Sequence, residues 1–230
     1  MLVFGKNVFN EVISEPKKIK RIYISRNLKD NNVISEVKEN KIQFELVDNF
    51  RLDRMVEGNH QGIVIEMLEY EYANLSDVIG NNTIVILDHL EDVHNFGAII
   101  RTCEAAGING IIIPKDRSVM VNGTVMKTSS GALSSVKIAR VNNLVNTINE
   151  LKKDGYFIYA ADMDGVNYHN VSYANKSVLV IGSEGNGVSR LVKENSDVIV
   201  SIPMNGSVNS LNASVAAGIV IYSIVNKGWD

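Results

Sequence analysis

Two short apolar runs, Val178-Leu179-Val180-Ile181 and residues 198–202, each lead straight into a polar, glycine-bearing loop. An apolar run bounded by turn signals reads as a buried strand. The loops that follow are Gly182-Ser183-Glu184-Gly185-Asn186-Gly187 and Pro203-Met204-Asn205-Gly206, the second continuing to Ser210-Leu211-Asn212. Both therefore lie at the carboxyl ends of strands, the edge at which open α/β sheets bind ligands. Glycines at 182, 185, 187 and 206 permit close backbone approach and positive φ, so the loops offer bare N–H and C=O groups. The spacing is neither the dinucleotide fingerprint nor a P-loop, because no Lys-Ser/Thr follows the glycines. One such cluster alone is a plain turn signal. Here Glu184, Asn205, Ser210 and Asn212 add polar groups with no turn duty in common.

Composition narrows the function classes. A net charge of −3 argues against general polyanion binding, so any nucleic-acid contact must come from local patches. Cys103 is the only cysteine, which excludes an internal disulfide or a cysteine metal cluster. His89, His94, Asp88 and Asp92 lie close together, but their spacing matches no zinc site, and no metal is expected. No signal peptide opens the chain and no apolar run is long enough to span a bilayer, so a cytoplasmic protein without membrane contact is expected. At 230 residues, of which 45% are hydrophobic, one large or two smaller domains can bury a core.

Residues 1–70 read as a separate small α/β unit. Helices are expected near 5–13, 32–39 and 52–57, and strands near 21–24, 42–47 and 62–67. Between Pro16 and Lys29 lie Lys17, Lys18, Lys20, Arg21, Arg26 and Lys29 with no acid among them. Such a run is either a solvated face or a phosphate-binding patch. Residues 71–82 read as a linker ending in the turn signal Gly80-Asn81-Asn82. The second unit, 83–230, opens with a strand over 83–88 whose centre, Ile84 to Leu87, is apolar. A loop over 89–95 then leads to a helix over 96–107, with Asn95 near its start and Arg101 six residues on. Six residues turn a helix by about 240° net, so those two side chains do not share a face. Arg101 alone reads equally as a surface partner of Glu104. A strand near 110–114, a short helix over 124–133, a strand over 136–141, a helix over 144–153 and a strand over 156–161 follow. The final helix, 211–225, is apolar almost all round, which calls for burial on several sides and so for a homodimer.

Three stretches carry a family resemblance. Asn95-Phe96-Gly97-Ala98-Ile99-Ile100-Arg101-Thr102, Ile181 to Gly187, and Ile202-Pro203-Met204 with Ser210-Leu211-Asn212-Ala213-Ser214-Val215 resemble, in order, the motifs of the SpoU family of RNA ribose 2'-O-methyltransferases, in the SPOUT superfamily. Gly5-Lys6-Asn7-Val8 and His60-Gln61-Gly62-Ile63 resemble the RNA-binding domain of its RlmB type, similar to ribosomal protein L30e. The resemblance implies an α/β chain in which a small L30e-like domain precedes a parallel-sheet catalytic domain. That domain's carboxyl end threads a trefoil knot, a rare exception to unknotted topology. It implies S-adenosylmethionine as cofactor, held by Gly182, Ile202 and Leu211. It also assigns Asn95, Arg101, Glu184, Ser210 and Asn212 to the active site.

The implied reaction is in-line transfer of a methyl group to a ribose hydroxyl, in which positioning carries much of the catalysis. A guanidinium is normally protonated. The resemblance makes Arg101 the activating residue, and it is therefore expected to act by lowering the hydroxyl's pKa or by gripping the adjacent phosphate. The implied substrate is a guanosine of 23S ribosomal RNA, naked or in an assembling large subunit. Lys17, Lys18, Lys20 and Arg21 are then the expected RNA contacts. The alternatives are the same chemistry on tRNA, and a catalytically silent RNA-binding protein. The amino-terminal unit argues against the first, and intact Asn95, Arg101, Glu184 and Asn212 against the second.

Overall fold

The computed structural model describes residues 1–226, Asn31 by its backbone alone; residues 227–230 of the expected catalytic unit lie outside the described residues. The chain folds as two compact units, Met1–Glu71 with Val121–Lys127, and Tyr72–Met120 with residues from Thr128 on.

The first unit contains β1 (Leu2–Phe4), α1 (Lys6–Val12), β2 (Ile19–Ser25), α2 (Asn31–Glu39), β3 (Phe44–Val47), α3 (Asn49–Met55) and β4 (Ile63–Met67). Its sheet runs β1-β4-β2-β3, with β2 and β3 parallel and β4 antiparallel to both β1 and β2. The period-two pattern of β2 divides the core. Ile22 and Ile24 join Val8, Phe9, Val33 and Val37 on one face, while Tyr23 meets Leu52 and Val64 on the other. The starts of α2 and α3 are each set by an aspartate at the N-cap. Asp30 accepts from the Asn32 N–H at 3.1 Å, and Asp48 from the Arg51 N–H at 2.8 Å.

The second unit contains α4 (Leu75–Val78), β5 (Thr83–Asp88), α5 (Val93–Ala105), β6 (Gly110–Pro114), the latter part of α6 (Gly123–Ser129), β7 (Lys137–Val141), α7 (Leu144–Lys153), β8 (Phe157–Asn167), β9 (Ser177–Gly182), α8 (Arg190–Glu194), β10 (Val198–Ser201) and α9 (Ala213–Val225). Residues 72–82, expected as linker, belong to this unit. They carry α4, and Ala73 forms a parallel bridge to Ala139.

The sheet runs β10-β8-β9-β5-β6-β7 with every pairing parallel. Parallel sheets are covered on both faces, which is why β5, β6 and β9 are near-continuous apolar runs. Ile84, Ile86, Val178 and Val180 face a cluster that includes Leu144, Ile148, Leu151 and Val192. Helix α9 packs on α5 and against β8 and β9.

Because all the strands are parallel, the loops after β5, β9 and β10 leave from one edge. The register fixes this: Asp88, the last residue of β5, pairs with Gly182, the last of β9. Strand β8 extends six residues past its expected end at Ala161. Its pairing with β10 jumps from Ile199↔Ala160 to Val200↔Val166, so residues 161–165 leave the ladder. Gly165 permits the return, since a Cβ there would lie 2.6 Å from the main-chain carbon and oxygen of Ile199.

Candidate active site

The loop after β9 is a tight fold-back. Ser183 and Gly187 form an antiparallel bridge, with N–H to O distances of 3.2 and 3.0 Å, and Gly185 and Gly187 take φ of 87° and 63°. Gly182 makes the closure possible. A Cβ on it would lie 2.0 Å from the carbonyl carbon of Gly187 and 2.2 Å from the nitrogen of Val188. The turn lifts Glu184 to an exposed tip, where its Oε1 accepts a hydrogen bond from Asn95 Nδ2.

Asn95 is buried and is the third residue of α5, not part of the preceding loop as expected. The physical reason is Asp92, whose Oδ1 accepts from the Asn95 N–H at 2.7 Å and so starts the helix three residues early. An Asp three residues ahead of a helical position is a readable N-cap signal that the apolar periodicity alone overlooks. Asn95 thus stands on a rigid helical turn and fixes the glycine loop through Glu184.

A second pair stands where β5 ends. Asp88 is 1% exposed, and its two oxygens are both used. Oδ1 lies 2.6 Å from His89 Nδ1, and Oδ2 accepts from the Ser189 N–H at 2.6 Å. His89 adopts a left-handed backbone with φ 57° and is about a third exposed. Asp88 and Asp92 are thus engaged in main-chain and histidine hydrogen bonds. Among the described residues, no group of three or more His, Cys, Asp or Glu is placed to hold a metal ion.

Arg101 lies six residues beyond Asn95, about 9 Å along the axis and about 120° around it. It is exposed, and among the described residues it makes no hydrogen bond or ion pair, so the surface pairing with Glu104 is not formed. On the third motif, Asn212 caps α9: its Oδ1 accepts from the N–H of Ser214 at 3.0 Å and of Val215 at 3.4 Å, and from the Ser214 hydroxyl at 2.6 Å. Ser210 is exposed, while Gly182, Ile202 and Leu211 are half-buried. Among the described residues the main chain of 203–211 makes no hydrogen bond. This stretch presents free donors and acceptors at the same edge as Gly182. One chain therefore joins Asn95 to Glu184 and Asp88 to His89, but brings neither Arg101 nor Ser210 into contact with them.

Behind the site, Cys103 is fully buried on α5, and that burial pushes its thiol well above the ordinary range. Burial likewise raises Tyr159 and Tyr173, whose rings meet edge-on at 4.9 Å.

The basic cluster of the first unit is partly neutralised. Lys18 pairs with Glu15, Lys20 sits 2.7 Å from Glu66, and Arg21 reaches Gln43 at 3.5 Å, while Lys17 is exposed and, among the described residues, unpaired. The Lys20 hydrogen bond holds the Glu66 carboxyl below its usual range and raises the Lys20 ammonium. Glu66 comes from β4, paired across the sheet at Arg21↔Glu66, so no reading of the local run reveals it. In the second unit, Arg140 stacks on Tyr72 at 5.0 Å and donates to the Lys115 carbonyl at 2.8 Å, which turns it inward.

The profile of the SpoU rRNA Methylase family matches residues 82–222. The chain belongs to this family. Residues 2–73 of this SpoU protein match a second profile, RNA 2'-O ribose methyltransferase substrate binding. A protein of Staphylococcus haemolyticus classed with the TrmH-family tRNA/rRNA methyltransferases is 40% identical over 238 residues, 99% of this chain and 96% of that protein. The Bacillus subtilis protein YacO, of the same class, is 40% identical over 236 residues, 98% and 95% of the two chains. Among solved structures, the SpoU methyltransferase AviRb of Streptomyces viridochromogenes, in complex with AdoMet, superposes with a TM-score of 0.84 at 22% identity. It covers 99% of this chain and 89% of its own. The TrmH/SpoU tRNA modifying enzyme of A. aeolicus gives a TM-score of 0.58 at 34% identity over 64% of this chain and 75% of its own. No helix among the described residues is long and apolar enough to cross a membrane.

Proposed function

We propose that this SpoU protein transfers a methyl group from S-adenosylmethionine to the ribose 2'-hydroxyl of an RNA, the substrate being a guanosine of 23S ribosomal RNA. The observation that carries this reading is the Asn95–Glu184 hydrogen bond. It ties the first two motifs together at the sheet edge where the unpaired main chain of 203–211 begins. A cofactor with an adenine, a ribose and an amino-acid end needs many donors and acceptors at close range, and a loop of free N–H and C=O groups fits it. Gly182, Ile202 and Leu211 are the positions that hold it. Threading of the carboxyl-terminal segment into a trefoil is part of this reading, supported by β8 lying between β9 and β10.

When bound, S-adenosylmethionine supplies an electrophilic methyl on a sulfonium. The chain's own residues do the rest. Glu184, fixed by Asn95, and Asn212, fixed at the start of α9, hold the two loops in one geometry, and Ser210 is the exposed active-site position two residues before Asn212. Arg101 meets the acceptor nucleotide, stabilising the charge that develops on the ribose oxygen or gripping the adjacent phosphate. A homodimer is part of the proposal. Helix α9 has apolar residues on every side, yet only Ala217, Val220, Ile221 and Ile224 are buried and Val215 is half exposed. A partner covering α9 explains that exposure. The Lys17 to Arg21 face, in particular Lys17 and Arg21, is the proposed RNA contact of the first unit, and the setting is cytoplasmic.

A tRNA substrate is the second reading, favoured by the 34% identity to a tRNA modifying enzyme. The match of residues 82–222 to the SpoU rRNA Methylase family supports ribosomal RNA instead. Mapping ribose methylation in the RNA of a strain lacking the protein, then restoring it with purified protein, tests both. One guanosine of 23S RNA losing and regaining its methyl group supports the proposal. A site restored in tRNA, or none, overturns it.

A further inference from the structure

We infer that His89 is the proton acceptor for the ribose hydroxyl, with Asp88 holding its imidazole in the working tautomer. The inference rests on the methyl-transfer reading and supplies the base that reading lacks. A 2'-hydroxyl must lose its proton as its oxygen attacks, and a guanidinium does not take one up. The Asp88–His89 geometry is that of an oriented base. Asp88 is 1% exposed and uses Oδ2 to accept the Ser189 N–H at 2.6 Å, which leaves Oδ1, 2.6 Å from His89 Nδ1, as its only other handle. A carboxylate only accepts, so Nδ1 carries the hydrogen and Nε2 keeps its lone pair. Among the described residues Nε2 has no partner, and the ring is about a third exposed. A buried carboxylate behind an imidazole whose far nitrogen is free is the arrangement that general-base catalysis uses.

Placement supports the role. Asp88 pairs in register with Gly182, so His89 is the first residue beyond the sheet edge, beside the strand that leads into the glycine loop. Its backbone is left-handed at φ 57°, where residues other than glycine are uncommon; glycine would hold the turn without strain, and an imidazole is held instead. The titratable and charged groups on the elements meeting at this edge are Glu91, Asp92 and His94 on the same loop and the helix it starts, Glu184 on the glycine loop, Arg190 and Lys193 on α8, Asp162 of β8, which pairs with Lys193, and Lys115, Asp116 and Arg117 on the loop whose Val119 N–H donates to the Leu90 carbonyl. In the step itself the hydroxyl proton passes to His89 Nε2. The oxygen's electron pair forms the new O–C bond, and the C–S pair stays on sulfur, leaving a neutral thioether. The imidazolium then returns its proton to water. Arg101 and His89 divide the work, one facing the developing negative charge and the other taking the proton.

The test uses the full-length protein in two arms. In the first, the ring nitrogens of His89 are observed by ¹⁵N NMR without cofactor or RNA. The expected result is the Nδ1–H tautomer, and an Nε2–H tautomer overturns the inference whatever the enzyme does. In the second, single-turnover methylation is measured across pH for the wild type, His89→Asn and His89→Gly. Asparagine tolerates the left-handed backbone and glycine favours it, so both variants fold. His89→Asn is expected to lose about a hundredfold or more in rate. It should also lose an ionisation from the pH profile, while its cofactor titration is unchanged. Added imidazole should restore part of the His89→Gly rate in proportion to its concentration. Variants within threefold of the wild type, with the same pH profile, overturn the inference while leaving the methyl-transfer reading standing. A wild type that transfers no methyl group to any RNA refutes that reading and the base role with it.

Discussion

Replacing Gly182 with alanine gives the sharpest test of how the glycine loop is built. The added Cβ would sit 2.0 Å from the carbonyl carbon of Gly187, against 3.4 Å for ordinary contact, so the loop must retreat by 1.4 Å (3.4 − 2.0). The clash is with backbone, which has no rotamer to change. Retreat breaks the two Ser183–Gly187 hydrogen bonds, at 3.2 and 3.0 Å, and pulls Glu184 away from Asn95. Overpacking costs about 1–3 kcal/mol, and each lost hydrogen bond about 1 kcal/mol net. An exposed loop relaxes part of the strain, so a loss of about 2–4 kcal/mol is expected. For a chain of this size each kcal/mol lowers the melting temperature by about 2–4 °C, giving a fall of roughly 5–15 °C. Gly185→Ala is the control. Gly185 also has a positive φ, 87°, but a Cβ there meets nothing within 4 Å. Only the left-handed penalty applies, about 1–2 kcal/mol. Thermal melts of both variants, with calorimetric titration of S-adenosylmethionine, compare them directly. The close approach predicts that Gly182→Ala melts well below Gly185→Ala and loses cofactor affinity. Equal melting temperatures with intact binding would mean that the backbone approach at Gly182 does not shape the loop.

Arg101→Ala should cut single-turnover methylation about a hundredfold or more. Because Arg101 is exposed and, among the described residues, unpaired, its melt should stay within about 0.5 kcal/mol of wild type. A collapsed melt would make it a structural residue. Asn212→Ala removes the acceptor of the first α9 N–H groups and should cost about 1 kcal/mol by denaturant titration. An unchanged midpoint would mean the cap contributes nothing. Cys103, with burial raising its thiol, should resist a disulfide reagent at pH 8 until denaturant opens the chain; fast labelling of the native protein would contradict its burial.

Much of the second unit is legible because a parallel sheet buried on both faces writes its strands as apolar runs. Thus 83–88, 110–114 and 178–181 are visible without any partner being known. The glycine loops are legible because Gly182 and Gly187 must approach as backbone. Less visible were features decided by distant residues. β8 continues past its expected end at Ala161, through Asp162-Met163-Asp164, because Gly165 lets the β10 backbone come within contact. β1, only three residues long, is an edge strand held by pairing with β4, and its own sequence carries no alternation to find. The Lys17–Arg21 run looked free of acids because Glu66 reaches it across the sheet. Asp88 and His89, adjacent in sequence, match no metal spacing and carry no other local signal. Their meaning depends on a hydrogen bond and on Ser189, 101 residues away.

Methyl transfer to a ribose hydroxyl at the Glu184–Asn95 edge, as proposed, leaves a product that can be read chemically. Incubating purified protein with isotopically labelled S-adenosylmethionine and ribosomal RNA lacking the modification, then digesting the RNA to nucleosides, tests it most directly. The expected result is label on the 2'-oxygen of guanosine, together with cleavage resistance at one position under alkali. Label on a base carbon or nitrogen, or none from wild-type protein that binds both cofactor and RNA, would contradict it.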